Sequence, residues 1–153
     1  MKREARLSDL AAPTPASAED LPEVLALVRS FDLPVEGVSD AFPHGYAVAR
    51  RGTELIGVAG LEIYGDVGLL RSVAVKSQAR GHGLGRALVA DRLDAARKQR
   101  LKRIYLLTLT AADYFRGLGF CDTERAHAPA SVRQAPEFTT LCPASAVCLV
   151  LSL

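Results

Sequence analysis

Apolar positions along the chain first recur at the spacing of a helix. Leu21, Val24 and Val28 follow it, and residues 17–20 in front of them form a capping-box sequence, so we predict a first helix over residues 18–31. The next stretch, LPVEGVSDAFPHG, contains two prolines and two glycines. Such a composition is typical of a loop, with room for a short helical piece. The chain is therefore predicted to begin its fold with a helix and a loop.

Three apolar runs separated by short turns come next. They predict strands over Tyr46–Arg50, Glu54–Tyr64 and Val67–Val75, with turns at RGT and GD. Strands joined by turns this short pair antiparallel. This part of the chain is therefore predicted to be a three-stranded meander.

The second half of the sequence alternates helix and strand. An apolar face at helical spacing predicts a helix from Leu84 to about Lys98, and RIYLLTL predicts a covered strand. AADYFRG indicates a brief helix, and SAVCLVLSL indicates a final strand. The piece from Val67 to Leu107 is then a strand–helix–strand crossover, which should be parallel and right-handed. We predict an α/β fold, with a mixed, mostly antiparallel sheet, one parallel crossover and helices on both faces, as a single domain over residues 1–153.

Composition narrows the class of protein. The chain has 153 residues, enough for one domain with a core, and its net charge of +2 gives little attraction for nucleic acid. Its apolar runs are too short to span a bilayer, and MKREARLSDL lacks the apolar core of a secretory signal, so we expect a cytoplasmic protein without a membrane partner. The basic residues between Arg86 and Arg103 are interpreted as a solvated helix face or as a rim near an anionic ligand.

The three cysteines, Cys121, Cys142 and Cys148, cannot all pair within one chain, and none forms a C-x-x-C motif. Neither a disulfide framework nor a metal site is expected. Cys142, in the sequence LCP, could place a thiol at an acceptor pocket, but a buried free cysteine is the simpler interpretation.

The sequence RGHGLG, at residues 80–85, places three glycines where a strand ends and a helix begins. Amide groups at a helix N-terminus lack partners and carry the positive end of the helix dipole, and glycine lets the backbone approach an anion closely. A pyrophosphate suits such a junction, because successive amides can share its oxygens. A Walker loop and the dinucleotide fingerprint do not fit this spacing. The alternative is a tight turn without a ligand.

Two motifs together point to a known family. VAV at residues 73–75 precedes RGHGLGRAL, in which Arg80, Gly83 and Gly85 meet the pattern [RQ]-x-x-G-x-[GA], and FRGLGF at residues 115–120 matches an aromatic-x-x-x-G-F ending of a short helix. In these motifs and in its order of elements, the chain from Glu19 to Phe120 resembles the GNAT N-acetyltransferases.

The resemblance implies an enzyme that transfers an acetyl group from acetyl-CoA to an amine. It implies that strand residues offer backbone groups to the pantetheine arm and that the glycine-rich amides hold the pyrophosphate. His82 could also be interpreted as a base, but a loop residue beside phosphate is the simpler interpretation. The implied cofactor-binding residues are Val73, Val75, Arg80, Gly81, His82, Gly83, Leu84, Gly85 and Arg86.

At both catalytic positions the chain departs from the family pattern. Many members have a tyrosine acid where strict register places Phe115, and Tyr114 lies one residue earlier, about 100° away around a helix. Many have a glutamate base on the strand before the glycines, where this chain reads LLRS, and the nearest carboxylates are Glu62 and Asp66. We therefore predict Glu62 or water as the base and Tyr114 as the candidate acid. The alternative to an enzyme is a module that senses acyl-CoA without turnover.

Arg71 lies within an apolar strand and needs a partner there. Alternation places it on one face with Val73 and Val75. Glu62 across the hairpin would give a structural ion pair, whereas a carboxylate or other anion on the substrate would be bound bidentately. The two interpretations can coexist.

Four segments carry a finer resemblance. LPVEGV, GVAGLEIYGDVGLLRSVAV, LLTLTAADYFRGLGF and EFTTLCPASA together resemble the arsenic-resistance N-acetyltransferase branch. A related branch acetylates phosphinothricin-like and arsinothricin-like amino acids, so the resemblance implies a small anionic amine as the acceptor. The oligomeric state stays open, with a homodimer as one alternative.

Overall fold

The computed structural model describes residues 12–153, so the segment MKREARLSDL, for which we predicted no secretory signal, lies outside the described residues. Seven strands form one sheet in the order β1-β2-β3-β4-β5-β7-β6. They are β1 (Thr14–Pro15), β2 (Tyr46–Arg51), β3 (Glu54–Tyr64), β4 (Val67–Val75), β5 (Arg103–Thr108), β6 (Cys121–Thr123) and β7 (Val147–Ser152).

Five α-helices accompany the sheet in the described chain. They are α1 (Leu21–Ser30), α2 (Val38–Ala41), α3 (Leu84–Lys98), α4 (Ala112–Gly117) and α5 (Ala130–Arg133). A 3₁₀ turn at Ala18–Asp20 precedes α1, two more occur at Ser77–Ala79 and Arg125–His127, and a π-helical turn covers Glu137–Leu141. None of the described helices is long and apolar enough to cross a membrane.

The pairing of the strands confirms the predicted mixed sheet. Strands β4 and β5 run parallel through the crossover that contains α3. The pairs β1–β2, β2–β3, β5–β7 and β6–β7 are antiparallel. The predicted strand and helix limits agree with the structure to within a few residues, but β1, β6, α5 and the π-helical turn were not predicted.

The described chain groups into two compact units. The first contains the residues up to Gly60 together with Ser72–Arg92, and the second contains Leu61–Arg71 together with Leu93–Leu153. Strands β3 and β4 and helix α3 each contribute to both. One catalytic domain over residues 1–153 stays a prediction.

The core of the first unit consists of two apolar clusters. One contains the buried residues of α1 and the adjoining strands, and the other contains the first turns of α3. Close approach at glycine allows this packing: a Cβ at Gly57 would lie 2.7 Å from Cδ1 of Leu88, and one at Gly60 would lie 2.5 Å from Cε1 of Tyr46. Because the Tyr46 ring is buried, it has little room to move away from Gly60.

The second unit has its own apolar cluster. Val67 and Leu69 of β4 are packed in this cluster with Tyr105 of β5, Val132 of α5 and Phe138 of the π-helical turn. The irregular segment that precedes β7 therefore belongs to the core of this unit.

Replacing Gly60 by alanine should destabilise the protein. Overpacking a core position usually costs about 1–3 kcal/mol, more than the backbone entropy gain of up to about 1 kcal/mol that alanine brings. We expect thermal unfolding to show a fall of several degrees in Tm. Gly117→Ala is the matched control, because a Cβ there meets nothing within 4 Å. If both variants melt like the parent protein, the close packing at Gly60 does not limit stability.

Candidate functional site

The glycine-rich loop connects β4 to α3 through backbone conformations that favour glycine. Gly81 has φ 85° and Gly83 has φ 76°, both in the left-handed region. The Ala87 amide donates to the Gly83 carbonyl at 3.0 Å. The amides of residues 84–86 therefore lie before this intrahelical bond, at the positive end of the helix dipole.

Open space lies beside these glycines. A Cβ at Gly81 or at Gly83 would meet no protein atom within 4 Å. The positive φ alone accounts for glycine at the two positions, while the open space leaves the backbone approachable by a ligand. These residues therefore fit a bound pyrophosphate. Gly81, Gly83 and Arg86 are exposed, and His82 is half-buried.

Arg80 contacts other residues of the first unit. Its Nε donates to the Val75 carbonyl at 3.2 Å, and its guanidinium carbon lies 4.8 Å from the ring centroid of Phe31. This pairing holds the exposed side chain against the end of β4. A role for Arg80 toward phosphate stays a prediction.

Strand β4 extends past its parallel register with β5. The register joins Val67, Gly68 and Leu69 to Arg103–Tyr105, and β4 continues to Val75. The backbone groups of Val73 and Val75 therefore lie beyond those registered pairs, as the predicted role toward pantetheine requires. The Val75 carbonyl already accepts the bond from Arg80.

In the second unit, Arg71 lies between two carboxylates. Its Nη1 lies 3.1 Å from Oε2 of Glu62, which confirms the predicted ion pair, and it also contacts Oε1 of Glu137. The Arg71 side chain is 5% exposed, that of Glu137 6% and that of Glu62 23%. Tyr64 donates its hydroxyl to Oε1 of Glu62 at 3.0 Å. Of the two carboxylates, Glu62 is therefore the one that solvent can reach.

Sequence reasoning missed Glu137. The residue begins the π-helical turn, 66 positions after Arg71, and its segment carries no periodic pattern that would indicate an inward side chain. Only the need of a buried arginine for more than one acceptor could have indicated a second carboxylate.

Burial and charge determine the ionisation of this cluster. Burial raises the pKa of Glu137, the adjacent Glu62 raises it further, and Arg71 opposes the shift. Burial also raises the pKa of Tyr64 well above its ordinary range, with a contribution from Glu62. The hydroxyl of Tyr64 therefore stays protonated and continues to donate to Glu62.

Ser72 interrupts the alternation of β4. Its φ of 58° lies in the left-handed region, which is unusual for a serine inside a strand. Side chains alternate between the two faces of a strand only where the backbone is extended throughout. The alternation that placed Arg71 on one face with Val73 and Val75 is therefore broken at Ser72.

The two aromatic residues of α4 differ in exposure. Phe115 is 6% exposed and its ring contacts Phe120, whereas Tyr114 is 44% exposed. The strict register of the motif thus places a packed phenylalanine where many family members have tyrosine. The role of Tyr114 as an acid stays a prediction.

The three cysteines are free thiols in different environments. Cys121 is exposed and Cys148 is buried, and burial raises the pKa of Cys148 to about 11. Burial and the nearby Glu137 raise the pKa of Cys142. In residues 12–153, no group of three or more histidine, cysteine, aspartate or glutamate side chains is arranged to hold a metal ion.

The chain belongs to the acetyltransferase (GNAT) family, because the model of that family matches residues 7–120, about three quarters of the sequence. Enzymes of this family use acetyl-CoA as their co-substrate. The fold and the glycine-rich loop described above agree with this membership.

Individual relatives cover the chain to different extents. An amino-acid acetyltransferase of Mycobacterium tuberculosis is 35% identical over 72 residues, 46% of this chain and 41% of the relative. N-acetylglutamate synthase from Neisseria gonorrhoeae, crystallised with coenzyme A and L-arginine, has a TM-score of 0.79 at 23% identity, covering 94% of this chain and 33% of that one. Rv2747 from M. tuberculosis, in complex with CoA and NLQ, has a TM-score of 0.80 at 24% identity, covering 94% and 99%.

The chain matches only part of two of these proteins. The chain spans about two fifths of the curated relative and one third of N-acetylglutamate synthase. The solved structures share its fold, and their substrates are properties of those proteins.

Replacing Gly83 by alanine should weaken CoA binding at least tenfold, which corresponds to about 1.4 kcal/mol. The new Cβ would stand in the open space beside the amides, and the left-handed backbone would be strained. Isothermal titration calorimetry with CoA measures the effect. Gly52→Ala is the matched control, since Gly52 has φ 62° and open space but lies in the β2–β3 turn. Equal CoA affinity in the Gly83 variant and the parent would exclude this loop as the pyrophosphate site.

Glu137 should make the stability depend on pH. A carboxyl whose pKa is raised by folding contributes stability below its ordinary pKa of 4.5, and this contribution is lost as pH rises through the raised value. The free energy of unfolding of the parent, relative to that of Glu137→Gln, should therefore fall as pH rises above 4.5. Urea unfolding at a series of pH values measures the difference. A difference that instead grows with pH would contradict the direction of the shift.

Proposed function

We propose that the chain is an acetyl-CoA-dependent N-acetyltransferase that acetylates the amino group of a small, acidic acceptor. The observation that carries this proposal is the glycine-rich loop, with its left-handed glycines and open backbone at the start of α3, in a chain of the GNAT family. Acetyl-CoA supplies the activated thioester carbonyl. The amides between Gly81 and Arg86 hold the pyrophosphate, and the backbone of Val73 and Val75 holds the pantetheine arm.

Proton transfer from the amine is assigned to Glu62, directly or through a water molecule. Its carboxylate is partly exposed and oriented by Tyr64 and Arg71. Strand β4 has no carboxylate among residues 69–72 that could take this role. Tyr114 is the candidate donor to the departing sulfur, and the residue is 44% exposed. We expect only a modest loss of activity when Tyr114 is changed to phenylalanine. The strict register of the motif places Phe115, and not Tyr114, at the position where many family members have the tyrosine acid.

Two observations support an acidic acceptor. The relatives include proteins named for acetylating an amino acid and for synthesising N-acetylglutamate. Arg71 is held by one deeply buried carboxylate and one that is partly exposed. An anionic group of the acceptor can replace Glu62 at Arg71, while Glu137 keeps the guanidinium in place and the Tyr64 hydroxyl continues to hold Glu62.

A more specific version of this proposal is a role in arsenic or antimetabolite resistance. It is supported by the resemblance of four sequence segments, which implies acceptors similar to phosphinothricin or arsinothricin. The second candidate function is a sensor that binds acyl-CoA without turnover, and the departures at the two catalytic positions favour it. Acetylation of any amine in the panel below would rule out a pure sensor.

An acceptor panel tests the acidic specificity. Glutamate, aspartate and phosphinothricin should be acetylated faster than glutamine and asparagine, as followed by release of the CoA thiol.

The Arg71→Lys variant tests the residue that would bind the acidic group. It keeps the positive charge but loses the planar guanidinium that can bind a carboxylate through two nitrogens. Loss of one charge-assisted bond, about 1.5–3 kcal/mol, should lower kcat/KM for acidic acceptors about tenfold to a hundredfold through KM, with CoA affinity unchanged.

Arg50→Lys is the matched control for this variant, because Arg50 also lies between two carboxylates, Asp20 and Glu23, but in the first unit. Equal rates with glutamate and glutamine would contradict an acidic acceptor. An Arg71→Lys protein that melts earlier but acts normally would make Arg71 a structural residue.

A further inference from the structure

Arg80 is held by an aromatic ring and a carbonyl, and neither of these neutralises its charge. We propose that Phe31 is a positioning residue for CoA: its ring holds the Arg80 guanidinium at the start of the glycine-rich loop, where the guanidinium binds the pyrophosphate of CoA. The assignment rests on the acetyl-CoA-dependent activity proposed above. It gives a role to a residue at the end of α1, outside the two sequence motifs of the family described above.

The end of α1 fixes the position of Phe31. The Phe31 amide donates to the Val28 carbonyl at 3.2 Å, directly after the last residue of the helix. Asp32 has φ 55°, in the left-handed region, and the Leu33 amide returns to the Val28 carbonyl at 3.2 Å, which ends the helix and turns the chain. The Phe31 side chain is half-buried and packs against the apolar cluster that contains the buried residues of α1. The ring is therefore held in place before any ligand binds.

Two contacts hold the exposed side chain of Arg80. Its Nε donates to the Val75 carbonyl at 3.2 Å, and its guanidinium carbon lies 4.8 Å from the centroid of the Phe31 ring. The Arg80 amide donates to the Ser77 carbonyl at 3.2 Å, so the backbone is also fixed, at the end of the 3₁₀ turn before the loop. All of these residues belong to the first unit. The ring and the carbonyl thus restrict a long side chain that would otherwise rotate in solvent.

The charge of Arg80 differs from that of other arginines in the described chain. Arg50, Arg71 and Arg116 each contact two carboxylates. Within residues 12–153, no carboxylate forms an ion pair with Arg80, and neither of its Nη atoms makes a hydrogen bond. An aromatic ring attracts a cation through its quadrupole and leaves the net charge in place. The positive charge and the Nη donors of this arginine therefore remain for an anionic ligand.

Arg80 immediately precedes the residues that fit a pyrophosphate. Gly81 and Gly83 have left-handed backbone with open space beside them, and the amides of residues 84–86 lie at the positive end of the α3 dipole. These amides carry only partial charges, whereas a guanidinium adds a full charge and binds phosphate oxygens through parallel N–H bonds. Because the Phe31 ring already restricts the side chain, less conformational entropy is lost when a phosphate binds to it.

A double-mutant cycle with Phe31→Leu and Arg80→Gln tests whether Phe31 acts through Arg80. An exposed cation–π contact changes an equilibrium about twofold to fivefold, so Phe31→Leu should weaken CoA binding by about that factor. Arg80→Gln should weaken it about tenfold, through the loss of a charge-assisted contact. In the double variant, the change at Phe31 should have no further effect. Isothermal titration calorimetry with CoA measures all four proteins, and losses that simply multiply would overturn the proposal.

A conservative variant and a second phenylalanine separate this role from packing. Phe31→Tyr keeps a ring beside the guanidinium and should bind CoA as the parent does. Phe42→Leu is the matched control, because Phe42 also packs half-buried against the same cluster, but its ring contacts Tyr46. This control should keep the CoA affinity of the parent even if its Tm falls. Equal losses of CoA affinity in Phe42→Leu and Phe31→Leu would make Phe31 a packing residue.

A second ligand identifies the phosphate that Arg80 binds. Dephospho-CoA lacks the 3′-phosphate of CoA but keeps the pyrophosphate. Phe31→Leu should therefore weaken the binding of CoA and of dephospho-CoA by the same factor. A loss for CoA alone would place the contact at the 3′-phosphate and would contradict the assignment to the pyrophosphate.

Tryptophan at position 31 provides a spectroscopic readout. The chain has no tryptophan, so Phe31→Trp places a single indole beside Arg80. Binding of inorganic pyrophosphate to the guanidinium should change the fluorescence of this indole, and the change should disappear when Arg80→Gln is added. A fluorescence change that persists without Arg80 would show that position 31 does not act through that residue.

Turnover separates this proposal from the proposed function. In the acetyltransferase assay, Phe31→Leu should raise KM for acetyl-CoA about twofold to fivefold and leave kcat unchanged. If the cycle couples Phe31 to Arg80 but no amine is acetylated, the positioning role stands and the proposed function fails. If amines are acetylated and Phe31→Leu binds CoA like the parent, the proposed function stands and the positioning role is disproved.

Discussion

The charge of Arg71 is the constraint on which the chemistry of the second unit depends. A guanidinium cannot lose its proton in a protein interior, so a buried arginine must find acceptors on the chain or on a ligand. Here the acceptors come from two distant segments, Glu62 on β3 and Glu137 at the start of the π-helical turn. Removing either acid leaves the guanidinium with fewer partners, whereas removing the arginine would leave two carboxylates facing each other. The ordering of the Glu137–Leu141 turn and the orientation of Glu62 are therefore linked through one side chain.

Comparison with Arg50 shows why this cluster is chemically different from an ordinary ion pair. Arg50 also contacts two carboxylates, Asp20 and Glu23, and the pKa of both acids is lowered, with Arg50 among the main causes. At Arg71 the pKa of Glu137 is raised instead, because burial outweighs the attraction of the guanidinium. Asp20 is also buried, but the hydrogen bonds from the Ser17 amide and from Arg50 outweigh the effect of burial and lower its pKa. The hydrogen bonds that each buried acid accepts, and not the number of charges, make the difference.

The sequence predicted those parts of the molecule that local patterns encode. The limits of β3, β4 and α3 agree with the predictions because alternation, turn glycines and helical spacing act over a few residues. The ion pair of Arg71 with Glu62 was predictable for the same reason, since a short hairpin joins their strands. Glu137 was not predictable, because a single π-helical turn of five residues is too short to show a periodic pattern and the contact of Glu137 with Arg71 spans 66 positions. The left-handed Ser72 was missed because serine carries no signal for a positive φ. The glycine-rich loop was found from its composition, but only the structure shows that the space beside it is open.

The absence of an acid on β4 can be understood together with the presence of Arg71. Many members of the family carry a glutamate on this strand, and the present chain has an arginine among the corresponding residues 69–72. A positive charge there reverses the local electrostatics, and it cannot accept a proton. It can, however, recruit carboxylates from neighbouring segments, and two of them are held on its Nη1 atom. One of the two acids is accessible and the other is buried, so the cluster has one carboxylate that a substrate can reach and one that holds the guanidinium from inside. An arginine in place of a glutamate is therefore compatible with base catalysis. Strand β4 supplies the positive charge of Arg71, and the neighbouring segments supply the carboxylates that it holds.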